Sequence, residues 1–178
     1  MSLNLERNRH FPVSPDVLLN ILTRRDFYVA RFAMSGISDF GCDVEKGKDG
    51  TCRVTLTRAL DASKGGNKVP GFARRFMGSA VVLTTEFDWQ PGDAPPYLAH
   101  FRLSLAGVPV TVSGTMQLVD DGQGTVQQMQ ADIRSSVPLI GNKLCQLVAD
   151  QVDRGLERDS RATLRYLEQV GHLADGAD

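Results

Sequence analysis

The last part of the chain, residues 142–170, carries a helical pattern of apolar positions. The apolar residues recur in steps of three and four and form one stripe: Leu144, Leu147, Val148, Val152, Leu156, Leu164, Leu167 and Val170. The opposite face is charged: Asp150, Arg154, Glu157, Arg158, Arg161, Arg165 and Glu168. At 1.5 Å per residue this helix would be about 43 Å long. A helix of that length needs a broad sheet to lie across, so the pattern predicts one.

Three residues interrupt the apolar stripe near its middle. Gln151, Gly155 and Asp159 are spaced by four and lie on or beside the stripe. Glycine inside a helix lowers the stability of the helix by about 1 kcal/mol relative to alanine, so we expect Gly155 to have a structural or functional role that offsets this loss.

Between residues 37 and 137 the period of the apolar positions changes to two, which predicts β-strands. The alternation includes Val54, Leu56, Val81, Leu83, Phe87, Trp89, Tyr97, Ala99, Phe101, Leu103, Val110, Val112, Met116, Leu118, Met129 and Ile133. Short turns at 48–50, 91–96, 107–109 and 120–124 join the strands into antiparallel hairpins. One face of each strand is apolar and the other polar, so the sheet is covered on one side only.

The N-terminal part predicts one more strand and two short helices. Residues 3–11 alternate in the manner of a strand. Ser14 then has the position of an N-cap, with Pro15 at the first helical position and Asp16 in the first turn. A second helical segment covers residues 26–34. We therefore expect an α+β fold in which a curved antiparallel sheet of about six to seven strands wraps around a long C-terminal helix, as one domain over residues 1–178.

Composition limits the classes of function. The chain is 42% hydrophobic, and its formal net charge of −1 gives no global electrostatic reason to bind nucleic acid. No apolar run is long enough to span a bilayer, and residues 1–10 lack the apolar core of a signal peptide. Cys42, Cys52 and Cys145 show no CxxC spacing and are expected to be small buried thiols of a cytoplasmic protein.

Two stretches at the helix entrances resemble a known superfamily. They are Phe11-Pro12-Val13-Ser14-Pro15-Asp16-Val17 and Pro138-Leu139-Ile140-Gly141. Together with the order of elements, they resemble the helix-grip fold of the START-like, or polyketide-cyclase/lipid-transfer, superfamily over nearly the whole chain. Within this superfamily, the chain resembles a bacterial branch of uncharacterised proteins, judged by Val69-Pro70-Gly71-Phe72 and by residues 137–144. The resemblance implies a cavity between sheet and long helix for a hydrophobic or amphipathic small molecule, and it carries over no catalytic residue.

Residues 62–78 interrupt the strand pattern. Val69, Phe72, Phe76 and Met77 form a short amphipathic pattern, accompanied by Lys64, Lys68, Arg74 and Arg75. One interpretation is a lid at the cavity mouth, with Phe72 or Phe76 pointing inward and the basic residues making transient contact with an anionic head group or a membrane surface. The alternative is a packed connection with a solvated face.

The candidate ligand-binding residues come from the lid, the sheet and the long helix. They are Phe72, Phe76, Phe87, Trp89, Phe101, Leu103, Met116, Met129, Ile133, Gln151, Gly155 and Asp159. Gly155 would leave space for the ligand, while Gln151 and Asp159 would present polar groups into an apolar chamber. The alternative is that Gly155 admits a bulky sheet residue, Trp89 or Phe101, because close helix–sheet packing also selects glycine.

No catalytic, cofactor or metal motif stands out. The chain has no G-x-S-x-G, Walker or H-E-x-x-H sequence and no zinc-spaced cysteines, so neither a cofactor nor a metal is expected. Glu86 and His100 are expected to face each other across a hairpin as a solvated pair. The favoured hypothesis is binding or transfer of a lipid, isoprenoid or polyketide. The alternatives are a cyclase or hydrolase using Asp159 or Gln151, and an interaction module with a filled core.

Overall fold

The computed structural model describes residues 1–61 and 80–172 of the chain. The strands are β1 (Ser2–Phe11), β2 (Phe40–Lys46), β3 (Cys52–Asp61), β4 (Ala80–Trp89), β5 (Tyr97–Leu105), β6 (Val110–Asp120) and β7 (Thr125–Ser135). The helices within these residues are α1 (Pro15–Leu22), α2 (Arg25–Met34) and α3 (Gly141–Gln169). The predicted lid at 62–78 lies outside the described residues.

The seven strands form one curved antiparallel sheet in the order β1-β7-β6-β5-β4-β3-β2. Each neighbouring pair is antiparallel, as the short turns predicted. The sheet, the long C-terminal helix and the two short helices after β1 together make a helix-grip fold, so the predicted fold class is confirmed. No helix in the described ranges combines the length and the apolar character that crossing a bilayer requires.

The start of α1 follows the predicted capping chemistry. The backbone N–H of Val17 donates to Ser14 Oγ at 3.4 Å, and Pro15 occupies the first turn, where a missing N–H costs nothing. The side chain of Asp16 accepts a hydrogen bond from the Tyr97 hydroxyl, which ties α1 to β5. The local sequence therefore determines where the first helix begins, and the Asp16–Tyr97 bond fixes it against the sheet.

The register between β4 and β5 corrects one expectation. Asp88 faces His100, and Glu86 faces Arg102, so Glu86 and His100 are not partners. The midpoint of the connection between β4 and β5 lies one residue later in the chain than the turn sequence predicted. Each residue of β4 therefore faces the β5 residue two positions further along than expected. Asp88 also pairs with Arg53 of β3, with 2.6 Å between Oδ1 and Nε, on the outer face of the sheet.

The helix α3 is buried at its two ends and only half-buried in its middle. Leu144, Cys145, Val148 and Ala149 are buried near its start, and Ala162, Thr163, Tyr166 and Leu167 near its end. Between them, Val152, Gly155, Leu156 and Asp159 are only half-buried. The three cysteines are buried free thiols, and burial raises the pKa of each, which makes them poor nucleophiles. The sheet and the middle of α3 therefore leave space between them, and that space is the candidate site.

Candidate functional site

A cavity of about 110 Å³ lies between the sheet, the two short helices and the middle of α3. Its apolar lining is Phe11, Leu18, Leu22, Phe32, Leu56, Leu83, Phe87, Trp89, Met116 and Leu156. Its polar lining is Tyr28, Arg31, Thr57, Arg58, Thr85, Gln127, Arg158, Asp159, Ser160 and Thr163. One water needs only about 10–15 Å³ measured in this way, so the cavity has room for several waters or for a ring-sized organic group.

The structure brings four of the twelve candidate residues to this cavity: Phe87, Trp89, Met116 and Asp159. Phe101, Met129 and Ile133 are buried in the core and do not line the cavity, and half-buried Leu103 packs against that core. Gln151 is exposed and does not reach the cavity. Phe72 and Phe76 lie outside the described residues. Part of the inner sheet face thus contributes to the candidate site, together with the helices. The strand pattern alone could not separate residues that line the cavity from residues of the core.

Gly155 lies beside the cavity, and few atoms of the described residues come near it. A Cβ built at this position would have a single neighbour within 4 Å besides the local helix backbone, Arg158 Nη2 at 3.8 Å. Neither Trp89 nor Phe101 comes that close, so the described residues do not include a bulky sheet side chain packed on the glycine. Among the described side chains, the one nearest to that space is the guanidinium of Arg158, about one helical turn further along.

Replacing Gly155 with Ala should stabilise the protein by about 1 kcal/mol, because alanine has the higher helix propensity and its methyl group would meet the described residues only at an ordinary contact distance, 3.8 Å from Arg158 Nη2. Urea unfolding followed by circular dichroism measures this. The matched control is Gly36→Ala. A Cβ at Gly36 would have no neighbour within 4 Å among the described residues, but the φ of +68° disfavours any side chain, so that variant should lose stability. A destabilised Gly155→Ala protein would contradict the open-space description.

Arg31 projects from α2 into the cavity and is held by aromatic rings. Its Cζ atom lies 4.9 Å from the centre of the Tyr28 ring, 5.6 Å from that of Phe27 and 5.7 Å from that of Phe32. Its side chain is only 12% exposed. Arginine side chains over aromatic faces are stabilised by cation–π attraction, which strengthens as water is excluded. The aromatic residues of α2 therefore fix the position of a charged group at the cavity wall.

Arg58 and Arg158 bring two further positive charges to the same cavity. Arg58 is on the inner face of β3, opposite Leu83 of β4, and Arg158 reaches in from α3. Burial lowers the pKa of Arg58, the nearby charge of Arg158 lowers it further, and Asp159 raises it. A guanidinium stays protonated in proteins, so the lowered pKa reflects unfavourable burial of charge and not loss of the proton.

Arg158, expected on the solvated face of the helix, keeps 42% of its side chain exposed and also lines the cavity. Its Nη2 atom lies 3.8 Å from the position that a Cβ at Gly155 would take. The sequence did contain a signal for Arg58, which occupies an inward position between Leu56 and Leu60 in the period-two pattern of β3. The sequence offered only a weak signal for Arg31, which follows Phe27 by four residues and so lies on the same face of α2 as that buried ring.

Comparison with known proteins agrees with this architecture. Residues 6–167 match the protein family described as "Protein of unknown function (DUF2505)". The chain belongs to that family. An uncharacterised protein of Mycobacterium tuberculosis strain H37Rv is 23% identical over 155 residues, which cover 80% of this chain and 87% of the relative.

Solved structures show the same fold at low sequence identity. The crystal structure of a Thermus thermophilus protein has a TM-score of 0.59 at 14% identity, covering 94% of this chain and 99% of its own. Ara h 8.0201 has a TM-score of 0.59 at 14% identity, with coverages of 95% and 99%. A START superfamily protein of Mycobacterium smegmatis has a TM-score of 0.54 at 14% identity, with coverages of 94% and 98%. The resemblance to the START-like superfamily is confirmed at the level of fold.

Proposed function

We propose that this protein binds a hydrophobic or amphipathic small molecule, of lipid, isoprenoid or polyketide type, in the cavity between the sheet and α3. The observation that carries the proposal is the cavity itself, about 110 Å³ in volume and lined by ten apolar side chains from sheet and helices. Small-molecule sites in proteins are concave and mostly apolar, with a few placed polar groups. The role proposed is binding or transfer.

The size of the cavity limits how much of a ligand it holds. An apolar cavity of about 150 Å³ accommodates benzene, so about 110 Å³ suits a small ring or a short alkyl segment. Ligand sites for drug-sized molecules are roughly 300–1,000 Å³. The protein therefore binds either a small ligand or the end of a longer chain, and a longer chain would enlarge the site on entry.

The two alternatives to a binding role receive less support. A cyclase or hydrolase was expected to use Asp159 or Gln151, but Gln151 is exposed. Asp159 lines the cavity between two arginines, which suits a counter-charge at least as well as a general base. An interaction module with a filled core would have this space occupied, whereas the described side chains leave about 110 Å³ between them.

A series of straight-chain alcohols, from butanol to decanol, tests the proposal by titration calorimetry. Each methylene group that enters the cavity should tighten binding about fourfold, which corresponds to about 0.8 kcal/mol per buried CH₂. The gain should stop once the cavity is full, and the chain length at that point measures the usable space. Native mass spectrometry of the freshly purified protein should also show any ligand that it retains.

Two variants of β4 provide a matched comparison. Thr85 lines the cavity on the inner face of the strand, and Thr84 points to the other face. Thr85→Phe should fill the cavity and abolish alcohol binding, whereas Thr84→Phe should leave it unchanged. If no alcohol binds to the wild-type protein, or if Thr85→Phe binds them equally well, the cavity is not a ligand site.

A further inference from the structure

The charges that line the cavity do not balance. Among the described residues that line it, three arginines, Arg31, Arg58 and Arg158, face a single carboxylate, that of Asp159. Each guanidinium is a permanent charge that loses solvation when it is buried, and the loss is offset only by an acceptor or an opposite charge nearby. Arg31 is only 12% exposed and Arg58 is half-buried, so water offsets their charges poorly, whereas Arg158 keeps 42% of its side chain exposed. In the described part of the chain, positive charge is therefore in excess at this cavity.

Asp159 does not make close ion pairs with its neighbours. Its Oδ2 lies 3.7 Å from Arg31 Nη2, and its Oδ1 lies 3.7 Å from Arg158 Nε. Charge-assisted hydrogen bonds between these groups are normally about 2.7–2.9 Å long. The same helix makes such bonds elsewhere: Asp153 accepts from Arg7 Nε at 2.6 Å and from Arg7 Nη2 at 2.9 Å. The contacts of Asp159 are thus longer than those of Asp153 and also longer than the 3.4 Å between Arg9 Nη2 and Glu157 Oε2 on the same helix.

Four buried N–H donors among the cavity-lining side chains have no acceptor within the part of the chain that is described. They are the Nε atoms of Arg31, Arg58 and Arg158 and the indole Nε1 of Trp89, whose side chain is only 2% exposed. Buried donors are normally satisfied. All four belong to residues that line one cavity, and none of them can accept a hydrogen bond. Water could accept these bonds, but it would leave the excess positive charge in place.

Two of these donor side chains, Arg31 and Arg158, are already positioned by the protein without a ligand. The three aromatic rings around Arg31 restrict its guanidinium, and Gly155 leaves room for the guanidinium of Arg158 beside it. Preorganised donors lose less conformational freedom on binding than mobile surface side chains do. Arginine is also the side chain best suited to planar recognition of carboxylates and phosphates.

We propose that the ligand of this cavity carries an acidic head group, a carboxylate or a phosphate, that binds among Arg31, Arg58 and Arg158, while its apolar part contacts the side chains of Leu83 and Phe87. The inference rests on the proposed ligand-binding function and names the chemistry of the ligand. Asp159 has the role of a competing counter-charge that helps to hold the arginines while the cavity is empty.

Ligands matched in chain length test the head group. Titration calorimetry at neutral pH and low salt compares hexanol, hexanoate and hexyl phosphate. Hexanoate should bind about tenfold to a hundredfold more tightly than hexanol, as expected for charge-assisted hydrogen bonds formed out of water. Inorganic phosphate and acetate, which share the charge but lack the chain, should bind more weakly than their hexyl counterparts.

Two arginines of the same strand provide the matched variants. Arg58→Met retains the length of the side chain and should reduce the preference for hexanoate over hexanol at least about tenfold. Arg53→Met removes an arginine from the outer face of β3, where it pairs with Asp88, and should leave the preference unchanged. Asp159→Asn removes the competing carboxylate and should tighten hexanoate binding. If Arg58→Met does not fold, Arg158→Met replaces it in the comparison.

The outcomes separate this inference from the proposed function. If hexanol binds and hexanoate binds no more tightly, the inference is overturned and the proposed function stands. The inference is equally overturned if Arg53→Met reduces the preference as much as Arg58→Met does, since the effect would then reflect overall charge. If neither ligand binds, the proposed function fails, and the inference fails with it.

Discussion

Replacing Phe27 with Ala should lower the free energy of unfolding by about 3–5 kcal/mol, the usual cost of truncating a buried phenylalanine. Phe27 is fully buried, and its ring makes edge contacts with Tyr28 and Tyr166, with ring centres 5.0 Å apart in both cases. The contact with Tyr166 joins α2 to α3. Because domains of this kind are stable by only about 5–15 kcal/mol, the loss should be visible as a large shift of the urea midpoint at unchanged slope.

Val29→Ala is the control in the same helix. Val29 is 36% exposed, and the change improves helix propensity, so stability should stay within about 0.5 kcal/mol of wild type. Phe27→Ala should also loosen the position of Arg31, whose guanidinium lies over the Phe27 ring. A loss of less than about 1.5 kcal/mol would mean that the packing of α2 on α3 contributes far less than a well-packed aromatic contact does.

Replacing Gly114 with Ala should destabilise the protein by about 3 kcal/mol or more, at or beyond the upper end of overpacking penalties. A Cβ at this position of β6 would lie 1.8 Å from the carbonyl oxygen of Gln130 on β7. The obstacle is backbone in the middle of a sheet, so relief requires the two strands to separate or twist locally. Thermal and urea unfolding measure the loss.

Gly41→Ala is the comparison for Gly114→Ala, because it also adds a methyl group to a strand glycine. Its Cβ would lie 2.4 Å from Thr57 Oγ1, which belongs to a side chain that can change rotamer. The cost of that change is about 0.5–1.5 kcal/mol and is partly offset by the reduced entropy of the unfolded chain. Equal losses in the two variants would show that the close backbone approach at Gly114 is not the cause.

The aromatic residues of α2 link the stability predictions to the proposed binding of an acidic head group. The aromatic residues of α2 support the core and also position Arg31, while the sheet positions Arg58 and the long helix positions Arg158. A variant that loosens α2 should therefore weaken hexanoate binding more than hexanol binding, because only the acid depends on the placement of the guanidinium groups.

Local patterns in the sequence determined the elements of this fold. The 3.6-residue stripe predicted the long helix to within one residue of Gly141–Gln169, because an amphipathic helix needs no distant partner to be recognised. Period-two alternation and short turns predicted the strands and their antiparallel pairing. Ser14 and Pro15 predicted the start of α1, because capping depends on residues within one turn.

Tertiary structure alone decided the site. Arg31, Arg58 and Arg158 come from three different elements and meet only because the sheet curves around the middle of α3. The sequence left two roles open for Gly155, and the decision depended on whether a sheet side chain fills the space above it. The register that pairs Asp88 with His100 depends on how the connection between β4 and β5 is centred. Each of these is a distance between residues that are remote along the chain, and periodicity along the chain carries no information about such distances.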